Sequence, residues 1–446
     1  MNKKTQVLLK SFLILALPTV IEQLLETIVQ YVDTAMVGHL GPNATATVSV
    51  SSTYSWLINS VYAAIAVGFL AFVARAVGEK NSIKTKDASM WAIVLVIVLG
   101  LVGMIITVAI ADFIPVWMGA AKDIQHNAGL YFKIINLPMV FRVAIILFGA
   151  IIRATGDTKN PMLINLVVNI VNIILNYIFI YALEFGPIGA GIASAISYVI
   201  GGILMTLLLF NNQYFKLKEV KIKEYNFNPV VLKKCLAVGI PVMFTNVASC
   251  LGYVVATSFV SSMSTLTYAA HSIAITAETI FYIPGYGMQA ATATMIGNSI
   301  GENNPLKTRK TMEISIAVIF SVMCVTGTLL YVFAKPMMAL FTNNQKVIEI
   351  GTGLLKMVAF TEPIFGTSAV MDGIYNGLAK TKYPLIVELI AMWGIRIMGS
   401  FVMVRILNKG ITEVWYCMIA NNIIKAILLM IGLVILVKKS KNLQLK

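Results

Sequence analysis

The chain repeats itself once, at half its own length. Shifting the numbering by 223 carries Pro18 onto Pro241, Gly78-Glu79 onto Gly301-Glu302, Asn81 onto Asn304, Thr158 onto Thr381 and Pro161 onto Pro384. One constant offset, kept without a gap over so long a stretch, requires two homologous halves. Whatever one half folds into, the other must fold into as well.

Composition then fixes the solvent. Apolar residues make up 58% of the chain and charged residues 12%, and the mean hydropathy is +0.84. A water-soluble chain cannot hide so much apolar surface, so most of the molecule must face lipid. A span needs about 20 apolar residues. Twelve segments qualify: 11–37, 45–76, 89–112, 128–152, 161–183, 188–210, 234–260, 267–296, 311–334, 347–378, 384–407 and 411–437. The expected fold is an all-α membrane protein, with twelve transmembrane helices in two pseudo-symmetric six-helix lobes. The lobes are expected at 1–210 and 234–446, joined by a flexible, charged linker at 211–233.

A net charge of +15 could suggest a nucleic-acid binder, but its placement argues otherwise. With the N-terminus in the cytoplasm, Lys3, Lys4, Lys10, Arg75, Lys80, Lys84, Lys86, Arg153, Lys159, the run 216–234, Lys307, Arg309, Lys310, Lys380, Lys382 and the tail lysines all fall on the cytoplasmic side. Only Lys122, Lys335, Lys346 and Lys409 fall outside. That is a positive-inside pattern with both termini cytoplasmic in a cell membrane. The basic face meets anionic lipid headgroups, and no nucleic-acid partner is expected. The first apolar segment opens with lysines, as a signal peptide would. It carries Pro18, Glu22, Glu26 and Asp33, however, and reads as a retained first helix.

No phosphate-binding loop, zinc motif or nucleophile constellation is present, so neither an enzyme nor a cofactor is expected. Cys235, Cys250, Cys324 and Cys417 lack paired spacing. Two homologous membrane halves fit a transporter that alternates access at their interface, driven by an ion or by the substrate itself.

Ionisable groups at membrane depth are the functional candidates, because each costs a few kcal/mol or more. Glu22, Glu26 and Asp33 share one face of the first helix, flanked by Gln23 and Gln30. Glu22 and Glu26 read equally well as lining a wet vestibule. Asn165, Asn169, Asn172 and Asn176 form one helical stripe in the fifth segment. The stripe serves either interhelical hydrogen bonding or, paired with Asp33, a site for Na⁺ or for a proton. At offset 223 Asp33 becomes Ala256, Asn172 becomes Ile395 and Asn176 becomes Gly399, so any such site is single. The second half has its own polar set: His271, Glu278, Tyr282, Tyr286 and Gln289, then Glu362, Asp372, Glu388 and Arg396. Glu388 and Arg396 are expected to pair with each other or with Asp372, and Asp372 and Glu278 are candidates for a cationic substrate. Gln23, Glu26, Tyr282 and Met288 complete the expected substrate surface. The 23 methionines, 17 tyrosines and 21 phenylalanines suit either an adaptable cavity or lipid-facing packing.

Several stretches together resemble the multidrug and toxic compound extrusion family. They are Pro18 through Val32-Asp33-Thr34-x-Met36-Val37-Gly38 to Leu40-Gly41, Arg153-Ala-Thr-Gly-Asp-Thr, Asn172-Ile-Ile-Leu-Asn176-Tyr-Ile-Phe-Ile, Gly239-Ile-Pro241 and Tyr268-Ala-Ala-His271. The resemblance spans nearly the whole chain. It implies export of mostly cationic, amphipathic compounds in exchange for Na⁺ or H⁺. It also implies a cation site made of Asp33, Asn172 and Asn176, with Ser194 lining it and Asn169 nearby. If the ion is Na⁺, Asp33, Asn172 and Asn176 are its expected ligands.

Some family members carry Asp where this chain has Asn176, and one branch carries Glu where this chain has Ser249. The latter departure points to the DinF-like branch, with coupling confined to the first lobe. Small organic cations and membrane lipids are the implied partners, and a monomer suffices. The alternative is a flippase for lipid-linked precursors from a related superfamily. Its usual fourteen spans and basic cavity fit this chain less well.

Overall fold

A computed structural model describes residues 3–215, 217, 225 and 227–443. Lys216, Lys218, Lys221, Lys223 and Lys446, counted above toward the cytoplasmic charge, lie outside the described residues. The chain is helical throughout the described residues. Its helices are α1 (Lys3–Gly38), α2 (Pro42–Gly78), α3 (Ser82–Ile110), the short α4 (Ile114–Trp117), α5 (Lys122–Asn136), α6 (Met139–Ala154), α7 (Lys159–Asn176) and α8 (Gly186–Asn211). They continue as α9 (Pro229–Ser261), α10 (Thr265–Gly301), α11 (Pro305–Phe341), α12 (Gln345–Ala359), α13 (Glu362–Gly377), α14 (Lys382–Glu388), α15 (Met398–Phe401) and α16 (Ile411–Leu443). Hydrogen bonding widens to the π pattern at Tyr177–Ala182, Leu389–Ile397 and Val402–Ile406.

The repeat holds to the residue. The helices that open at Pro42, Ser82, Lys122, Met139 and Lys159 have counterparts opening at Thr265, Pro305, Gln345, Glu362 and Lys382, each 223 positions on. So do the turns. Lys80 and Asn303 both take positive φ, 55° and 53°. Asn81 and Asn304 then cap the next helix by accepting from the backbone N–H of Lys84 and of Lys307. A side-chain acceptor at that position satisfies one of the orphan donors of a helix start. Lys84 and Lys307 in turn pair with Glu79 and Glu302.

Nine helices among the described residues are each long and apolar enough to cross a membrane. Two bent pairs, α5–α6 (50°) and α12–α13 (56°), bring the number to eleven. Both bends fall where the helix ladder is interrupted, at Leu137-Pro138 and at Phe360-Thr361. The twelfth expected span is α10, long enough at 37 residues but diluted by His271, Glu278 and Gln289. This is an all-α, multi-pass membrane protein.

The chain divides into two compact units, residues 21–240 and residues 1–20 with 241–446. The expected lobes end at residue 210 and begin at 234, whereas the units exchange the opening segment of each half. The exchange points adjoin Pro18 and Pro241, which lie inside α1 and α9. In the second unit Thr19 Oγ1 donates to Gly287 O at 2.7 Å, and Phe12 and Ala16 join a core with Ile319, Val370 and Tyr375. In the first unit Gly239 lies against Ala64, the repeat equivalent of Gly287.

The linker is anchored rather than free where it is described. Phe215 and Leu217 are buried, Tyr214 O accepts from Thr85 Oγ1 at 3.1 Å, Tyr225 donates to Asp87, and Trp91 Nε1 donates to Asn228 O at 2.8 Å. Aromatic residues among the lysines tie this segment to the first turns of α3.

Candidate functional site

Helix α7 carries the amide stripe, and the structure splits it in two. Asn165, at the start, donates to Glu22 of α1. Glu22 also pairs with Arg153 Nη1 at 3.1 Å, and both side chains are largely buried. Glu22 is therefore neutralised within the protein and does not line an open vestibule. The Arg153 turn supplies that partner in addition to ending α6. Asn169 is half-buried and makes no hydrogen bond to either group among the described residues.

The far end of the stripe meets Asp33. Asn176 Nδ2 donates to Asp33 Oδ1 at 2.5 Å. With its amide turned to donate, Asn172 places its nitrogen 3.0 Å and 3.3 Å from the two carboxylate oxygens, and its oxygen accepts from Ser194 Oγ at 3.1 Å. Spacing of four residues on one helix is what lets two amides reach a single carboxylate. Just beyond, the π-widened turn Tyr177–Ala182 brings Tyr181 to donate to Met36 O at 2.7 Å, which fixes the segment of α1 that carries Asp33.

Two properties make this cluster chemically able to hold a cation. Asp33 has no Lys or Arg partner among the described residues, so its charge is met only by neutral dipoles. Asn176 Oδ1 is buried without a hydrogen-bond partner among the described residues, and such an orphaned acceptor costs free energy unless something fills it. Gln23 and Glu26 lie further back on α1 and hydrogen-bond to each other at 3.2 Å.

The second unit holds a different polar centre. Lys425 of α16 reaches Asp372 Oδ2 at 3.0 Å and Glu388 Oε2 at 2.9 Å, and Ser249 Oγ donates to Glu388 Oε1 at 2.5 Å. Two carboxylates thus share one ammonium, and Asp372 is not an open carboxylate. Glu388 and Arg396 do not pair. The Arg396 guanidinium instead lies 4.7 Å from the Tyr253 ring centre, held there by the π-widened stretch Leu389–Ile397. Glu278 is half-buried and lies within electrostatic reach of Arg396. Tyr282 packs edge-on against Tyr286 and tilted against Phe365 in a three-ring cluster. Met288 lies in the packed core of the second unit, 6% exposed. His271 accepts from Trp415 Nε1 at 3.0 Å, deep inside the unit.

The twofold repeat of this all-helical membrane chain has a counterpart in one family. A family model described as MatE matches residues 18–178 and 241–402, opening at the repeat-related prolines Pro18 and Pro241. The chain belongs to the MatE family.

A probable multidrug resistance protein NorM of Thermotoga maritima is 26% identical over 425 residues, covering 94% of this chain and 90% of that protein. An uncharacterised transporter, YisQ, of Bacillus subtilis is 24% identical over 422 residues, covering 92% and 91%. Among solved structures, the outward-facing form of a multidrug resistance MATE family transporter of the MOP superfamily superposes with a TM-score of 0.91 at 21% identity, covering 99% of each chain. A MOP superfamily transporter from Pyrococcus furiosus, described as having a binding pocket of reversed polarity, superposes at 0.92, again at 21% identity and 99% coverage of each. The MatE fold is thus shared end to end, and the family is one of transporters, not enzymes.

Two buried basic residues of this MatE chain escape the sequence reading. Lys425 was legible as a lone ammonium mid-way along an apolar segment. Arg142 sits in the fourth span, 3% exposed, donating to Asn136 Oδ1 at 3.3 Å and lying 5.2 Å from the Tyr198 ring centre. The signal in each case is a cation too deep to reach either interface.

Proposed function

We propose that this protein is a secondary active antiporter of the DinF-like branch, which exports cationic, amphipathic organic compounds in exchange for H⁺ or Na⁺. The observation that carries the reading is the Asp33 cluster: a carboxylate in a membrane helix, contacted by Asn172 and Asn176 and by no basic side chain among the described residues. Such a group binds a cation in one conformation more tightly than in another if the helices around it rearrange, which is the requirement for coupling. Of the two ions the proton demands less. Both amides present N–H to Asp33, and Na⁺ would require both to turn their oxygens inward.

Coupling belongs to the first unit alone. Lys425 already occupies Asp372 and Glu388 of the second. Gln23 and Glu26 of the first unit, and separately Glu278, Tyr282, Met288 and Asp372 of the second, are proposed substrate-binding residues, with the Asp372 charge shared with Lys425. The basic turns support a cytoplasmic position for both termini, and the functional unit is proposed to be a monomer.

The test is efflux of a fluorescent organic cation from proteoliposomes, with Na⁺ and pH gradients imposed separately. One gradient drives efflux in the native protein, and Asp33→Asn abolishes that dependence without unfolding the chain. Full-rate pumping by Asp33→Asn would overturn the assignment.

A further inference from the structure

Four helix ends of the second unit converge on a cavity of about 400 Å³, formed by the end of α10, the start of α11, the end of α13 and the last turns of α16. Its walls are apolar, with Leu306, Met312, Leu433 and Leu436 prominent, and its rim carries Arg309 and Lys380 and no acidic residue. Glu313 takes the Nε of Arg309 at 2.9 Å, which leaves the terminal guanidinium nitrogens uncommitted to it. A groove with an apolar wall and a cationic rim rejects an organic cation and fits an amphiphile with an anionic head.

The repeat shows what such a groove requires. Thr308 lines the cavity, and its equivalent 223 positions earlier is Thr85. In the first unit Thr85 Oγ1 donates to Tyr214 O, because the chain leaves α8 and folds back there, burying Phe215 and Leu217. In the second unit α16 runs on as helix through the equivalent positions 438 and 440, and among the described residues no segment folds back. Among the described residues, the first unit fills its groove with its own chain and the second leaves the related groove open.

We propose that this groove of the second unit binds an anionic phospholipid of the cytoplasmic leaflet. The phosphate lies between Arg309 and Lys380, and an acyl chain lies along Leu433 and Leu436. The leaflet follows from the orientation proposed above; the chemistry of the site does not depend on the transport reading.

The experiment is native mass spectrometry of the full-length protein in detergent, titrated with phosphatidylglycerol or phosphatidylcholine. The native chain should retain phosphatidylglycerol selectively. The double variant Arg309→Gln, Lys380→Gln should lose retention by about fivefold for each basic group removed. Leu436→Trp, which fills the groove and keeps both charges, should lose it as well. Equal retention of the two lipids, or undiminished retention by either variant, would overturn the proposal. So would displacement of the lipid by millimolar inorganic phosphate, which would mark a free-phosphate site instead.

Discussion

The ammonium of Lys425 stands 3.0 Å from Asp372 Oδ2, joining α16 to α13 inside the membrane-embedded body of the second unit. The same nitrogen lies 2.9 Å from Glu388. Removing one member of a buried ionic group costs far more than the group contributes, because it strands the others. Lys425→Gln should destabilise the protein by about 3 kcal/mol. Adding Glu388→Gln, which removes one stranded carboxylate, should restore part of the loss. Thermal unfolding of the single and double variants in detergent checks this; strictly additive losses would contradict it.

Asn165 and Asn176 share one stripe but serve different carboxylates. Asn176→Ala strips Asp33 of its closest donor and should lower gradient-driven efflux at least about tenfold, the loss of roughly 1.4 kcal/mol of coupling. Asn165→Ala leaves the Arg153–Glu22 pair in place and should leave the ion dependence of efflux unchanged. Parallel flux assays of the two variants make the comparison.

Gly287 meets α1 so closely that a Cβ there would lie 2.7 Å from Val20 Cα. Backbone cannot yield as a side-chain tip can. Gly287→Ala should therefore cost about 1–3 kcal/mol through overpacking, and the midpoint of thermal unfolding should fall accordingly. Gly353, which a Cβ would leave clear of any neighbour within 4 Å, should tolerate Ala without loss.

At the turn after α2, burial works to raise the Glu79 carboxyl, but hydrogen bonds and charge from Lys84 and Arg75 outweigh it and hold it below its ordinary value of 4.5. A group lowered on folding stabilises above its unfolded value, and that contribution disappears as pH falls through the lowered one. Glu79→Gln should therefore reduce stability at neutral pH by less than about 1 kcal/mol, as expected for a partly exposed pair. It should also flatten the acid limb of a stability–pH curve.

The fold was legible because membrane helices announce themselves by length and because the repeat doubles every boundary: Lys122 and Gln345 open matching helices, each supporting the other. The Asp33 cluster was legible because two asparagines at helical spacing can serve one carboxylate, and a carboxylate in lipid demands partners. The Lys425 network was not, since its partners come from α13 and α14, whose rotations about their own axes depend on packing and on a π-widened stretch that no local pattern signals. The linker misled for a related reason. Its lysines suggested freedom, while Phe215 and Leu217 supply the burial that holds its described part.

Thr19 finds its acceptor at Gly287, 268 residues further along the chain. Residues 3–20 therefore lack this acceptor while the first half is being synthesised, and a ribosome must pass α10 before Thr19 can reach it. A fragment ending at residue 210 would carry that stretch with nowhere to dock. Co-expressing it with the remainder should rescue both, since Phe12, Ala16 and Thr19 complete a core that α10, α11 and α13 build.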